Sequence, residues 1–128
     1  MGANMEIISH RGFWTVDTDK NSLKSFNKSF RSGFGTETDI RDSCGELVIS
    51  HDLPDGSEMS LAEFLTLYRR FEVTPTLALN VKSDGLHEKL KKILSDFSIS
   101  SYFFFDMSVP DAMQYQKAGL TFFSRVSE

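Results

Sequence analysis

Apolar runs of strand length alternate with stretches of helical period along this chain, and that alternation narrows the possible folds more than any other feature. Met5 to Ser9 is a short extended run that ends at His10. Thr36 to Arg41 is a second strand, and Glu46 to Ser50 is its hairpin partner across an Asp42-Ser43-Cys44-Gly45 turn. Thr76 to Val81, Tyr102 to Phe105 and Leu120 to Ser124 supply three more. Between them, Asn21 or Ser22 caps a helix bearing Leu23, Phe26 and Phe30, with Gly33 at its end. Ser60-Leu61-Ala62-Glu63 is a capping box, and Leu61, Phe64, Leu65, Tyr68 and Phe71 form the inner face of the helix it opens. Leu86, Leu90, Ile93, Leu94 and Phe97 mark a third helix. Ser108 caps a fourth, with Pro110 in its first turn and Gly119 as its stop. A strand that returns parallel to its predecessor needs a crossover of about this length. The order β-α-β(β)-α-β-α-β-α-β therefore predicts an α/β fold with a parallel sheet, and the wholly apolar Tyr102 to Phe105 predicts a sheet buried on both faces.

Each strand turns polar where it ends. His10 and Arg11 follow the first; Glu37 and Asp39 share one face of the second; His51 and Asp52 follow the hairpin. Asn80 and Lys82 close the third main strand, Asp106 the fourth and Arg125 the fifth. In parallel α/β sheets, sites form at the carboxyl ends of strands. Glu37 and Asp39, with the amide oxygen of Asn80, suit a hard divalent cation that prefers oxygen ligands. His10 and His51 suit general acid and base roles, because an imidazole titrates near working pH. Arg11 and Lys82 suit an anionic group, the planar fork of Arg matching phosphate oxygens. A cation, two imidazoles and an Arg together point to a phosphodiester, whose hydrolysis requires charge neutralisation and two proton transfers.

Blander readings stand beside these. Asp42, Asp52 and Asp106 are residues that cap turns through their own backbone. His87 reads as a solvated helix residue and Cys44 as an unactivated turn thiol. Phe13 and Trp14 read as packing, with a substrate wall as the alternative. The formal charge of −4 gives no basic field for nucleic acid, and no apolar stretch approaches the ~20 residues of a membrane span. Cys44 is the sole cysteine, so an intramolecular disulfide is excluded; with no secretory leader in evidence, a reducing, cytoplasmic setting is expected.

Ile8-Ser9-His10-Arg11-Gly12, Asn21-Ser22 at a helix start, Gly35-Thr36-Glu37-Thr38-Asp39-Ile40, and Gly45-Glu46-Leu47-Val48-Ile49-Ser50-His51-Asp52 together resemble the glycerophosphodiester phosphodiesterase family, whose pattern is His-Arg-Gly, an Asn-Ser/Thr helix start, Glu-x-Asp, and a hairpin ending in His-Asp. The resemblance covers roughly residues 5–128. It implies a (β/α) barrel of TIM type with the hairpin inserted after the second strand. It implies a divalent metal (Mg²⁺, Ca²⁺ or Mn²⁺) on Glu37 and Asp39, with His10 and His51 as the acid–base pair and Arg11 on the phosphate. The implied reaction is hydrolysis of a glycerophosphodiester to an alcohol and glycerol 3-phosphate. A related phospholipase chemistry would close the product into a cyclic phosphate.

Two departures matter. Leu79-Asn80-Val81-Lys82 keeps the family's Lys but carries Asn80 where a metal-binding Glu is usual, so one negative charge is lost. Lys20 likewise replaces a Glu before the Asn-Ser pair. The other departure is extent: a full barrel takes ~250 residues, and this chain of 128 holds about five β/α units. It therefore reads as a single partial barrel over residues 1–128 whose open sheet edge invites a second copy. An inactive domain that keeps the site's outline is the alternative to a working phosphodiesterase.

Overall fold

The computed structural model of the chain describes residues 8–12, 20–72 and 74–123. Met5 to Ile7, Phe13, Trp14, Ser124 and Arg125, on which some of the expectations fall, lie outside them. The elements are β1 (Ile8–His10), α1 (Leu23–Arg31), β2 (Gly35–Ser43), β3 (Glu46–Ile49), α2 (Leu61–Tyr68), β4 (Leu77–Val81), α3 (His87–Asp96), β5 (Tyr102–Phe105) and α4 (Val109–Lys117). The main sheet runs β1-β2-β4-β5, every neighbouring pair parallel, with β3 antiparallel on β2. Each parallel strand lies beside its predecessor. That is the winding of a barrel; a doubly wound sheet reverses its order at a switch point.

Register decides what each face carries. Glu37 stands level with His10 on one side and Ala78 on the other, and Ala78 with Phe103. One layer higher, Asp39 is level with Asn80 and Asn80 with Phe105. Because side chains alternate along a strand, these residues share one face. The opposite face presents Ile40, Leu77, Leu79, Val81 and Phe104 to the helices, and all are buried. Phe26 and Phe30 of α1 meet α2 there: the Phe26 and Phe64 rings lie edge to face at 4.7 Å, and Phe30 and Tyr68 at 5.3 Å.

The helix signals in the sequence correspond to real caps. Ser60 and Glu63 make the expected box, and Ser108 accepts from the Asp111 N–H ahead of α4. Ser22, not Asn21, is the cap of α1. The expected α2 stops earlier than its apolar period, at Tyr68. The hairpin is tighter than a four-residue turn. Cys44 (φ 50°) and Gly45 (φ 84°) form its two-residue tip, and Asp42 and Ser43 pair with Leu47 and Glu46. The last expected strand is reduced. Among the described residues, Leu120 to Phe123 contribute one parallel bridge, Phe122 to Phe104, made by Phe104 N–H to Thr121 O at 3.0 Å and Phe123 N–H to Phe104 O at 2.8 Å. Following directly on Gly119 and paired on one side only, this segment has little ladder to hold it. No helix among the described residues is long and apolar enough to cross a membrane.

Candidate active site

The carboxyl ends of β1, β2, β4 and β5 bring six of the seven candidate residues into one connected network. Asp39 is its centre and is fully buried. Its Oδ2 lies 2.9 Å from Arg11 Nε, and its Oδ1 lies 3.8 Å from Lys82 Nζ. The Lys82 ammonium also lies 3.8 Å from Asp106 Oδ2, so a strand-end aspartate that reads as a turn cap pairs with a site cation instead. His10 Nε2 sits 3.6 Å from Glu37 Oε1, as their level register requires. The Asn80 amide reaches the Glu37 carboxylate in turn.

His51 makes none of these contacts and lines a cleft of about 790 Å³. Arg11, Lys20, Asn21, Met59 and Glu63 also line that cleft, so Arg11 joins the two regions. The carboxylates, His10, Asn80 and Lys82 flank the cleft without lining it. His51 is held by its backbone: Arg41, two residues beyond Asp39 on β2, donates to the His51 carbonyl from Nη2 at 2.8 Å. The two imidazoles still feel one another, since positive charge on His51 would disfavour charge on His10.

Electrostatics separate the groups. The Glu37 pKa is raised, first by burial and then by the Asp39 charge, with Arg11 pulling the other way. The His10 pKa is lowered, first by burial and then by Arg11, so the neutral imidazole persists to more acid pH than usual.

Backbone strain sharpens the turn that carries Arg11. Arg11 has φ 55° and Gly12 φ 87°. A Cβ on Gly12 would lie 2.4 Å from Ser25 Oγ, so only glycine lets the first turn of α1 close on this loop. Ser25 then donates to the Arg11 carbonyl at 3.2 Å.

The donor set suits a hard cation. Glu37 Oε1, Asp39 Oδ1 and Asn80 Oδ1 are buried without a hydrogen-bond donor among the described residues. Buried acceptors are rarely left so, and a cation that takes oxygen ligands would satisfy all three. The set is lean: among the described residues no group of three or more His, Cys, Asp or Glu is placed to hold a metal ion, which leaves two carboxylates and the Asn80 amide.

Two polar residues of the site escape a reading by residue type. Asn21, which reads as a helix cap, donates instead to Asp39 Oδ2 at 3.1 Å and accepts from Thr38 Oγ1 at 2.7 Å. Its φ of 54° was the available signal, since Asn tolerates that region, but a sequence does not display φ. His87 is a correction. Its side chain is only 19% exposed and its ring lies 6.1 Å from that of Tyr115 in a tilted arrangement, so it is a half-buried residue at the start of α3 and not a solvated one.

Comparison with solved structures places the fold. A protein from Galdieria sulphuraria described as a glycerophosphodiester phosphodiesterase superposes with a TM-score of 0.78 at 17% identity, over 93% of this chain and 63% of that one. The glycerophosphodiester phosphodiesterase of Agrobacterium tumefaciens superposes with a TM-score of 0.71, also at 17% identity, over 89% of this chain and 63% of that one. This chain thus spans less than two thirds of those proteins and shares their fold as a partial barrel. No protein-family model and no curated protein sequence matches it.

Proposed function

We propose that this chain carries a metal-assisted phosphodiesterase site that hydrolyses a small glycerophosphodiester to an alcohol and glycerol 3-phosphate. The observation that supports it most is the convergence at one sheet edge of three donorless oxygens with His10, Arg11 and Lys82. Likeness of fold to two phosphodiesterases supports the reaction class.

Glu37, Asp39 and Asn80 would hold Mg²⁺, Ca²⁺ or Mn²⁺. That ion, when bound, would neutralise phosphate charge and acidify the attacking water. Arg11 commits Nε to Asp39 and keeps its remaining guanidinium N–H groups for phosphate oxygens. Lys82 adds a second positive charge on the β4 side. His10, neutral to lower pH, takes the proton of the attacking group. His51, in the cleft lining, returns a proton to the departing alcohol. Arg11 and Lys20 bring positive charge to the cleft beside the carboxylates of Asp52, Glu58 and Glu63. The exposed, free Cys44 is in keeping with a reducing, cytoplasmic setting. Self-association through the open side of the sheet completes the proposal.

The test is turnover of glycerophosphodiesters and of an aryl phosphodiester with each ion, followed by phosphorus NMR of the product. Glycerol 3-phosphate formation that vanishes in His10→Ala is expected. A cyclic phosphate would reassign the nucleophile to an internal hydroxyl. Absence of turnover with every ion would favour the second reading, a non-catalytic domain, which Asn80 at the third ligand position supports.

A further inference from the structure

We infer that Asn21 is a positioning residue that divides the labour of the Asp39 carboxylate, committing Oδ2 to the protein and leaving Oδ1 for the cation. The inference rests on the metal reading above and concerns a residue at the cleft wall that acts through Asp39. Asp39 has two oxygens in a fully buried position. Oδ2 receives Asn21 Nδ2 at 3.1 Å and faces Arg11 Nε at 2.9 Å. Oδ1 has no hydrogen-bond donor among the described residues, only the Lys82 ammonium at 3.8 Å. A carboxylate is free to rotate about its last bond unless one oxygen is fixed, and a rotated Asp39 would offer the cation an oxygen already shared with a guanidinium.

Asn21 is itself locked from both ends. Its Oδ1 accepts from Thr38 Oγ1 at 2.7 Å, which settles the amide orientation and aims Nδ2 at the carboxylate. Its backbone N–H donates to the Arg11 carbonyl at 2.9 Å, and its φ of 54° is a conformation that costs a non-glycine residue free energy. Thr38 and Asp39 are adjacent on β2, so one side chain ties both faces of that strand to the loop ahead of α1. Ser22 already caps α1, which leaves helix capping as no explanation of the asparagine.

Removing partners that orient a metal ligand typically lowers metal affinity about 10- to 100-fold. The experiment is Mn²⁺ binding by electron paramagnetic resonance, with thermal melts of the same full chains in chelator. Asn21→Gly keeps the left-handed backbone and removes only the amide, and Thr38→Val removes only the hydroxyl that aims it. Mn²⁺ affinity weaker by about tenfold or more in Asn21→Gly, and weaker in Thr38→Val, with both chains folded, is the expected result. Wild-type affinity in a folded Asn21→Gly, or in a folded Thr38→Val should Asn21→Gly not fold, overturns the inference while the metal reading stands. A wild-type chain that binds no Mn²⁺ at millimolar concentration overturns both.

Discussion

At the scale of single residues, the site is a contest between charges that share too little water. Asn80 is the sharpest case, because it sits level with Asp39 where a third carboxylate would crowd two others. Asn80→Glu should lower the melting temperature in chelator, through repulsion among buried carboxylates. It should also tighten Mn²⁺ binding about tenfold or more, since affinity for hard cations follows ligand charge. Equal melting temperatures for both proteins, with and without Mn²⁺, would sink that account. Glu37 and His10 set opposite pH dependences. Glu37 has a raised pKa in the fold, so it favours the folded state at acid pH, and that contribution is lost as pH rises past its ordinary value of 4.5. Glu37→Gln should therefore raise the melting temperature at neutral pH, the gain fading at acid pH where both side chains are neutral. His10 has a lowered pKa, so its contribution is complete above its ordinary value of 6.5 and declines as pH falls through the lower folded value. A titration by NMR placing the His10 midpoint above 6.5 would contradict this.

At the scale of elements, two devices aim these residues. The hairpin tip puts Cys44 and Gly45 at positive φ, and around Gly45 nothing would touch an added Cβ. Gly45→Ala should thus cost only the conformational strain, about 1–2 kcal/mol, measured by urea unfolding; a negligible loss would show that the tip relaxes. The other device is the aromatic seam of α1 and α2, where Phe64 is fully buried and lies 4.7 Å from Phe26 and 5.6 Å from Phe30. Phe64→Ala should destabilise by about 3–5 kcal/mol, read by the same unfolding. These elements were legible beforehand because each rests on a local rule: Ser60 with Glu63, the 3.6-residue recurrence of Phe26 and Phe30, Glu37 and Asp39 two apart. The convergence of His10, Arg11, Glu37, Asp39, Asn80 and Lys82 was legible because parallel strands deliver their ends to one edge. What stayed hidden depends on coordinates that no local rule encodes. Asn21 looked like a cap because its true partner lies eighteen residues away, and His87 looked solvated because Tyr115 covers it from another helix.

At the scale of the whole molecule, the two faces of the sheet are finished to different degrees. The helix-facing side is sealed, as Leu77, Leu79 and Phe104 show by their full burial. The other side carries the polar site at its upper rim and aromatic residues beside it. Phe103 and Phe105 lie on that face with ring centroids 5.8 Å apart, and Phe123 packs on Phe103 at 4.7 Å while 59% exposed. Ile8, 41% exposed, shares the face from β1. In a closed barrel such residues fill the interior in layers; here Ile8 and Phe123 are exposed and Phe103 and Phe105 half-buried, and exposed apolar side chains of this kind promote association. Among the described residues the sheet edge beyond β5 carries a single bridge and offers little resistance to pairing. Sedimentation equilibrium of this chain should therefore show mass rising with concentration. Phe123→Ser should shift it toward the monomer, with little change in melting temperature because the residue is mostly exposed. If association survives Phe123→Ser but weakens when salt screens surface charge, the contact runs through charged groups elsewhere. The aromatic face would then serve the inside of a barrel without drawing a second copy.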